Sequence, residues 1–160
     1  MLPTETFKTI IKSTPLVSID LIVRNPEGNV LLGKRTNRPA QGFWFVPGGR
    51  ILKDESFEQA FNRLVNIELG LSNQQVTFLG TYQHFYEDNF STDAFSTHYV
   101  VLAYEMNVML DIGSLPIEQH NEYRWFNEEE ILTSDSVHKH TKWYFQVNKQ
   151  SDVNCLKPNK

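Results

Sequence analysis

The sequence has few of the features that mark secreted, membrane-spanning or nucleic-acid-binding chains. Its one cysteine, Cys155, cannot form an internal disulfide, which favours a reducing compartment. No segment approaches the ~20 consecutive apolar residues of a membrane-spanning helix, and the N-terminal segment has no apolar run typical of a signal peptide. The net charge of -4 argues against the basic stripe of a nucleic-acid-binding protein. These absences favour a cytoplasmic enzyme or binding domain whose partner is a small molecule, with no nucleic acid and no membrane.

The composition is that of an ordinary globular chain, with 40% hydrophobic and 21% charged residues over 160 positions. A chain of this length forms one domain that buries about two-thirds of its unfolded surface. We therefore expect a single domain over residues 1–150. The polar residues 151–160 are predicted to form a loose C-terminal tail.

Hydrophobic periodicity and turn residues predict an alternating order of strands and helices. Predicted strands cover 16–23, 29–32, 43–46, 75–87, 95–108 and 122–126. Predicted helices cover 4–12, from 54 or 55 to 69, 128–132 and 136–149. This order favours a mixed β-sheet between helices, which is an α/β fold of the α/β/α sandwich type.

Residues 49–71 carry the most informative pattern in the chain. Pro47, Gly48 and Gly49 provide a backbone able to approach a ligand closely. A helix-period segment follows and ends at Gly70, a typical helix stop. A plain amphipathic helix with solvated acidic residues does not explain glycines at both ends.

The spacing of residues 49–71 resembles the Nudix box, G-x5-E-x7-R-E-U-x-E-E-x-G-U, where U is a bulky aliphatic residue. The resemblance implies the Nudix fold and a divalent metal held against a diphosphate. It further implies that the carbonyl oxygen of Gly48 and the carboxylate of Glu68 are metal ligands. The chain departs from the box at Leu64 and Ile67, where the family has glutamates.

The two missing carboxylates leave two interpretations open. Multi-metal phosphoryl chemistry needs several carboxylates to hold the cations and orient a water molecule. Leu64 and Ile67 do neither, so the site is either retained for binding alone or holds one metal that stabilises a leaving group. In the second case water attacks a sugar carbon, and a separate general base is required.

Further segments are similar to a Nudix subfamily with the same altered box, the GDP-mannose mannosyl hydrolases. The similarity covers residues 13–18, 31–50, 83–91, 97–102 and 118–125. It implies Mg²⁺-dependent hydrolysis of GDP-mannose or related GDP-hexoses to GDP and free sugar, with one Mg²⁺ per site. It also implies attack of water at sugar C1 with inversion, and a homodimer.

The resemblance assigns Gln119 as the third metal ligand and His120 as the general base. A histidine has an ordinary pKa near 6.5, suited to accepting a proton from water near neutral pH. Arg35 and Arg50 are assigned to the diphosphate and to catalysis, because planar guanidinium groups suit phosphate oxygens. Taken without the resemblance, Gln119 and His120 are interpreted as a solvated loop pair, and the plainer interpretation of Arg35 and Arg50 is a solvated surface position.

The remaining substrate-contacting residues implied by the resemblance are Leu2, Phe7, Asp20, Arg63, His84 and Tyr99. Four of them have a plainer interpretation. Phe7 and His84 suit core packing, Asp20 suits a solvated strand face, and Arg63 suits an ion pair with Glu55. His138 and His140 are interpreted as structural.

Two other functions remain alternatives. The first is a Nudix pyrophosphatase that cleaves the diphosphate of a nucleotide sugar. The second is a catalytically inactive module that binds a nucleotide sugar.

Overall fold

A computed structural model describes residues 1–115 and 120–155. The helices are α1 (Thr4–Ser13), α2 (Phe57–Leu69), α3 (Glu128–Thr133) and α4 (Lys139–Lys142). The strands are β1 (Leu16–Arg24), β2 (Val30–Arg35), β3 (Trp44–Phe45), β4 (Gly48–Arg50), β5 (Thr77–Tyr86), β6 (Thr97–Asn107) and β7 (His120–Phe126). Short 3-10 helices cover Ile112–Ser114, Trp143–Phe145 and Asp152–Cys155. Within the described ranges, no helix is long and apolar enough to cross a membrane.

Strand β1 lies at the centre of a seven-stranded mixed sheet of order β3-β2-β1-β6-β5. It pairs in parallel with β6 along its whole length and antiparallel with β4. With β2 it pairs only at Arg24 and Val30, after which β2 continues as the partner of β3 and β7. The predicted α/β fold with a mixed sheet is therefore confirmed, and β1 and β2 pair with each other only beside the turn that joins them.

Alternation along β1 separates the protein into two cores. Ile19 and Leu21 pack on one face in a cluster that includes residues of α2. Ile22 packs on the other face with Phe126 and Ile131. Because successive side chains of a strand point to opposite faces, Asp20 lies on the same face as Ile22. This second face holds the candidate site described below.

Helix α2 begins two or three residues later than the sequence predicted. The Ser56 hydroxyl accepts a hydrogen bond from the Gln59 backbone N–H, while the Gln59 side chain accepts one from the Ser56 backbone N–H. This capping box fixes the start at Phe57. Phe57, the first residue of the helix, is 63% exposed, since it stands one turn ahead of the buried residues. Gly70 ends the helix with φ of 68°, as expected.

The predicted C-terminal helix over 136–149 is wrong. The backbone before it is held by β3, because Trp44 N–H donates to the Ser136 carbonyl and His138 N–H donates to the Trp44 carbonyl. These contacts keep Val137 extended against Trp44. The helix therefore starts only at Lys139 and continues as the 3-10 turn Trp143–Phe145, after which Gln146 is extended.

In the segment predicted as a loose tail, Ser151 and Asp152 form hydrogen bonds with strand β5. The Ser151 hydroxyl accepts from Thr81 N–H at 2.9 Å and donates to the Thr81 carbonyl at 2.8 Å. The Asp152 carboxylate accepts from Gln83 N–H at 2.8 Å. These side chains satisfy backbone groups of β5, and a Cβ at Gly80 would lie 2.5 Å from the Ser151 Cβ. Residues 156–160 of the predicted tail lie outside the described residues.

Replacement of Ser151 by alanine is expected to destabilise the protein. The Ser151 side chain is 6% exposed, so its loss leaves two half-buried backbone groups of Thr81 without this partner. A free-energy loss of about 1–3 kcal/mol follows, to be measured by urea unfolding. Ser96→Ala, at an exposed serine, is the matched control. Equal stability of S151A and wild type would contradict the proposed role of the tail.

Candidate functional site

A cavity of about 620 Å³ opens on the sheet face that carries Ile22. Its walls come from strands β1, β2, β4, β5 and β6, from α1, and from the loops that follow β2 and β5. The lining side chains that the sequence predicted as functional are Phe7, Asp20, Arg35, Arg50, His84 and Tyr99, together with the backbone of Gly48. The structure therefore brings together most of the predicted residues that it describes.

Residues 48–50 lie outside the predicted strands but form strand β4, and its two glycines allow it to lie close to its neighbours. A Cβ at Gly48 would lie 2.2 Å from the Ile19 carbonyl oxygen and 3.0 Å from Asp20 Oδ1. A Cβ at Gly49 would lie 2.6 Å from Leu64 Cδ2. Both positions require glycine because β4 is pressed between β1 and α2. The backbone of residues 48–50 is thereby held at the edge of the cavity.

Arg35 and Arg50 are two of the arginines that give the cavity its positive charge. The Arg50 guanidinium lies 4.4 Å from the centre of the Phe7 ring, and that of Arg35 lies 5.4 Å from the centre of the Phe45 ring. The aromatic ring beneath each guanidinium group holds the arginine side chain in place and leaves its positive charge unneutralised. Cations combined with aromatic surfaces suit an anionic ligand that also carries a planar group.

The loop after β5 supplies lining residues that sequence reasoning missed. Asn89 is fully buried, and its side-chain amide donates to the carbonyls of Asp93 at 2.9 Å and Phe95 at 2.7 Å. This bracing turns Phe90 toward Phe7, with ring centres 5.0 Å apart. The available signal was an aromatic residue in an otherwise polar loop. A Lys8–Asp93 ion pair at 3.1 Å ties α1 to the same loop.

Arg38 was also missed, and it lines the cavity while donating to the Ser91 carbonyl. Tyr86 and Tyr99 complete the wall beside it. Burial raises the pKa of both tyrosines, so their hydroxyls stay protonated and can donate hydrogen bonds.

Asp20 and His84 are connected behind the cavity wall by Tyr144. The Tyr144 hydroxyl donates to Asp20 Oδ2 at 2.5 Å and lies 3.3 Å from His84 Nε2. Burial raises the pKa of Asp20 to about 7, an increase that the Tyr144 hydrogen bond and the positive charge of Arg35 limit. Sequence reasoning missed Tyr144, since it sits in a segment interpreted as an ordinary helix.

Three histidine rings lie in contact beside this group, two of them stacked and the third edge-on. The His84 and His140 rings are 4.2 Å apart and nearly parallel, and His138 lies 4.6 Å from His140. Burial lowers the pKa of His84 to about 3, of His138 to about 4 and of His140 to about 2. All three rings are therefore neutral at pH 7. Nδ1 of His140 is buried without a hydrogen-bond partner among the described residues.

Two predicted substrate-contacting residues do not line the cavity. Arg63 donates to both carboxylate oxygens of Glu55, at 2.6 and 3.0 Å, and to the Arg50 carbonyl at 2.8 Å. It braces β4 against the start of α2, and the same hydrogen bonds lower the pKa of Glu55. Leu2 is 41% exposed and likewise stands apart from the described lining residues.

The predicted metal ligands are placed only in part. Glu68 is buried on the face of α2 that also carries Leu64, one turn away. Leu64 is 2% exposed and Ile67 is 44% exposed. Gln119 and the side chain of His120 lie outside the described residues. Within the described part of the chain, no cluster of three His, Cys, Asp or Glu residues suits a metal ion, so those residues alone do not complete a metal site.

Replacing His140 by phenylalanine is expected to reduce the acid sensitivity of the fold. His140 has a lowered pKa, so below about pH 6.5 the unfolded chain binds a proton that the native state does not. Native stability is therefore lost as the pH falls. Between about pH 7 and pH 5, H140F should gain about 2 kcal/mol on wild type, measured by urea unfolding at each pH.

Asp20→Asn should change the pH dependence of native stability in the opposite direction. The pKa of Asp20 is raised, so native stability is lost as the pH rises toward about 7. The advantage of D20N over wild type should accordingly grow between about pH 4 and pH 7. A difference between H140F and wild type that does not change with pH would contradict the assignment of a neutral, buried His140.

Comparison with known proteins places this geometry in a family. Residues 14–147 match the NUDIX domain. The low-salt glycan biosynthesis protein Agl8 of Haloferax volcanii is 40% identical over 126 residues, covering 78% of this chain and 79% of that protein. The MutT protein of Methanosarcina mazei Go1 superposes with a TM-score of 0.66 at 23% identity, covering 83% and 92% of the two chains.

The NUDIX domain of Shewanella oneidensis NrtR, solved as a complex with ADP ribose, superposes with a TM-score of 0.61. It is 21% identical and covers 88% of this chain and 92% of its own. These two structures share the fold, while the NUDIX match and the archaeal relative establish the relationship. The chain therefore belongs to the Nudix family of hydrolases.

Proposed function

We propose that the protein hydrolyses GDP-mannose, and related GDP-hexoses, to GDP and the free sugar. In this reaction water attacks sugar C1 and the configuration inverts. The observation that carries the proposal is Leu64, which packs on Gly49 beside the cavity where the family box has a glutamate. A buried aliphatic side chain at this place cannot hold a further cation or orient water toward phosphorus.

The cavity is better suited to stabilising a leaving group. Arg35 and Arg50 line it, and their guanidinium groups match the oxygens of a diphosphate. As the bond between sugar C1 and the diphosphate oxygen breaks, negative charge grows on the diphosphate. Fixed cations at that position lower the energy of the oxocarbenium-like transition state. Phe7 and Phe90 offer aromatic surface for the guanine ring.

The metal in this proposal is one Mg²⁺ bound by the Gly48 carbonyl, Glu68 and Gln119. Nudix hydrolases generally use such a divalent cation, and the three oxygen donors are of the type that Mg²⁺ prefers. Bound Mg²⁺ would neutralise charge on the diphosphate and so assist its departure. Gly48 supports this assignment because its backbone is held at the cavity edge by the close contact with Ile19.

His120 is proposed as the general base. It begins β7, and its backbone pairs with Arg35, one of the cavity-lining residues. A neutral imidazole there accepts a proton from the attacking water as the oxygen bonds to C1. Because water enters on the face opposite the departing diphosphate, a single displacement inverts the sugar carbon.

The biological setting is proposed from the same set of observations. The archaeal relative is named for glycan biosynthesis, which fits a substrate that carries an activated sugar. We propose that the protein acts on this small molecule in the cytoplasm, as a homodimer. Arg35 and Arg50 account for binding an anionic nucleotide in a chain of net charge -4.

Hydrolysis in ¹⁸O-labelled water tests the bond that is broken. With GDP-mannose and Mg²⁺ we expect GDP and mannose, with the label in mannose, measured by mass spectrometry. Label in GMP or in sugar phosphate would identify a pyrophosphatase and contradict the proposal. Binding of GDP-mannose without product over long incubation would identify an inactive binding module.

Replacement of His120 by glutamine tests the general base. H120Q is expected to lower kcat by about 10²–10⁴-fold, the range typical of losing a general base, while the Kd for GDP-mannose changes little. His98→Gln is the matched control, since His98 stacks on Phe85 and does not line the cavity. Unchanged turnover by H120Q would remove His120 from this role.

A further inference from the structure

Tyr144 lies behind the cavity wall and contacts two of the residues that form it. Asp20 and His84 line the cavity, whereas Tyr144 is not among the described lining residues. Its hydroxyl reaches Asp20 Oδ2 at 2.5 Å and His84 Nε2 at 3.3 Å. One oxygen atom therefore joins a carboxylate on β1 to an imidazole on β5.

The packing around Tyr144 fixes the position of that oxygen. Its ring meets the Tyr82 ring edge-on, with centres 4.9 Å apart. The neighbouring Phe145 is 8% exposed and belongs to the core that includes Ile22. The hydroxyl is thus held by buried aromatic contacts on the 3-10 turn Trp143–Phe145, and its placement does not depend on a mobile surface side chain.

The number of protons decides the direction of the two hydrogen bonds. A tyrosine hydroxyl carries one proton, and the Tyr144 hydroxyl donates it to Asp20 Oδ2. The remaining bond then requires His84 Nε2–H to donate to the Tyr144 oxygen. A neutral imidazole has a single N–H, so Nδ1 of His84 carries a lone pair and can only accept.

We propose that Tyr144 is a positioning residue that holds Asp20 and His84 as one hydrogen-bonded unit on the cavity wall, with His84 in its Nε2–H form. The effect of Tyr144 on turnover rests on the proposed function. Asp20 lies opposite Gly48 in the β1–β4 pairing, where that function locates the diphosphate. The unit therefore acts at the reacting end of the substrate, while Phe7 and Phe90 lie toward the nucleotide.

Tyr144→Phe removes the shared oxygen and keeps the ring that packs on Tyr82. With GDP-mannose we expect kcat to fall about tenfold, the size of losing a hydrogen bond to a charged group. The KM for GDP-mannose and the Kd for GDP should change less than about twofold, because the arginines and aromatic rings remain. A loss caused by general misfolding would instead weaken GDP binding, and that result would overturn the proposal.

Tyr82→Phe is the matched control, because it removes a hydroxyl from the adjacent ring that takes no part in the unit.

A double variant adds a test of coupling between Tyr144 and Asp20. If Tyr144 acts through Asp20, the Y144F change should lower kcat by a clearly smaller factor in the Asp20→Asn background than in wild type. An equal fall in kcat in both backgrounds, or the same fall in Y82F, would overturn the role assigned to Tyr144.

The ¹⁵N chemical shifts of His84 test the unit independently of any reaction. Wild type at about pH 8 should show one tautomer, with the proton on Nε2, and Y144F should show a mixture of the two neutral forms. An Nδ1–H form in wild type, or identical shifts in both proteins, would overturn the proposal. If GDP-mannose is not hydrolysed but these shifts behave as expected, the proposed function fails and the positioning role stands.

Discussion

The pairing of β1 with β4 on one side and β6 on the other is the constraint on which the rest of the structure depends. It buries Ile19 and Leu21 on one face and Ile22 on the other, so a single strand supports both cores. The same alternation directs Asp20 into the cavity. A shift of one residue in this register would exchange the two faces and bury Asp20 against α2. The core and the candidate site are therefore specified by the same set of hydrogen bonds.

Much of the fold could be predicted from the sequence, because long strands and capped helices leave clear local patterns. The two long strands β5 and β6 and the glycine at the end of α2 are confirmed. Strand β4 could not be predicted, since two of its three residues are glycines with little intrinsic strand preference. It forms because β1 supplies its hydrogen bonds. The break between Ser136 and Lys139 likewise depends on contacts with Trp44, which are distant in sequence.

In the candidate site too, some residues could be predicted from the sequence and others could not. Residues that match a recognisable motif could be assigned, and the structure brings Asp20, Arg35, Arg50, His84 and Tyr99 to one cavity. Residues that act through tertiary contacts could not. Phe90 is directed inward only because Asn89 braces its loop, and Tyr144 matters only because β1 and β5 bring Asp20 and His84 to its hydroxyl. The local sequence around Phe90 or Tyr144 contains no pattern that indicates those partners.

Leu64 shows how one substitution serves both stability and chemistry. A glutamate at this buried position, against Gly49 and within the core of α2, needs a cation or a hydrogen-bond partner to offset its desolvation. Leucine removes that requirement and adds apolar contact between α2 and β4. The cost is the loss of a metal ligand beside the cavity. Arg35 and Arg50 carry positive charge in fixed positions on the cavity wall, which suits an anionic ligand.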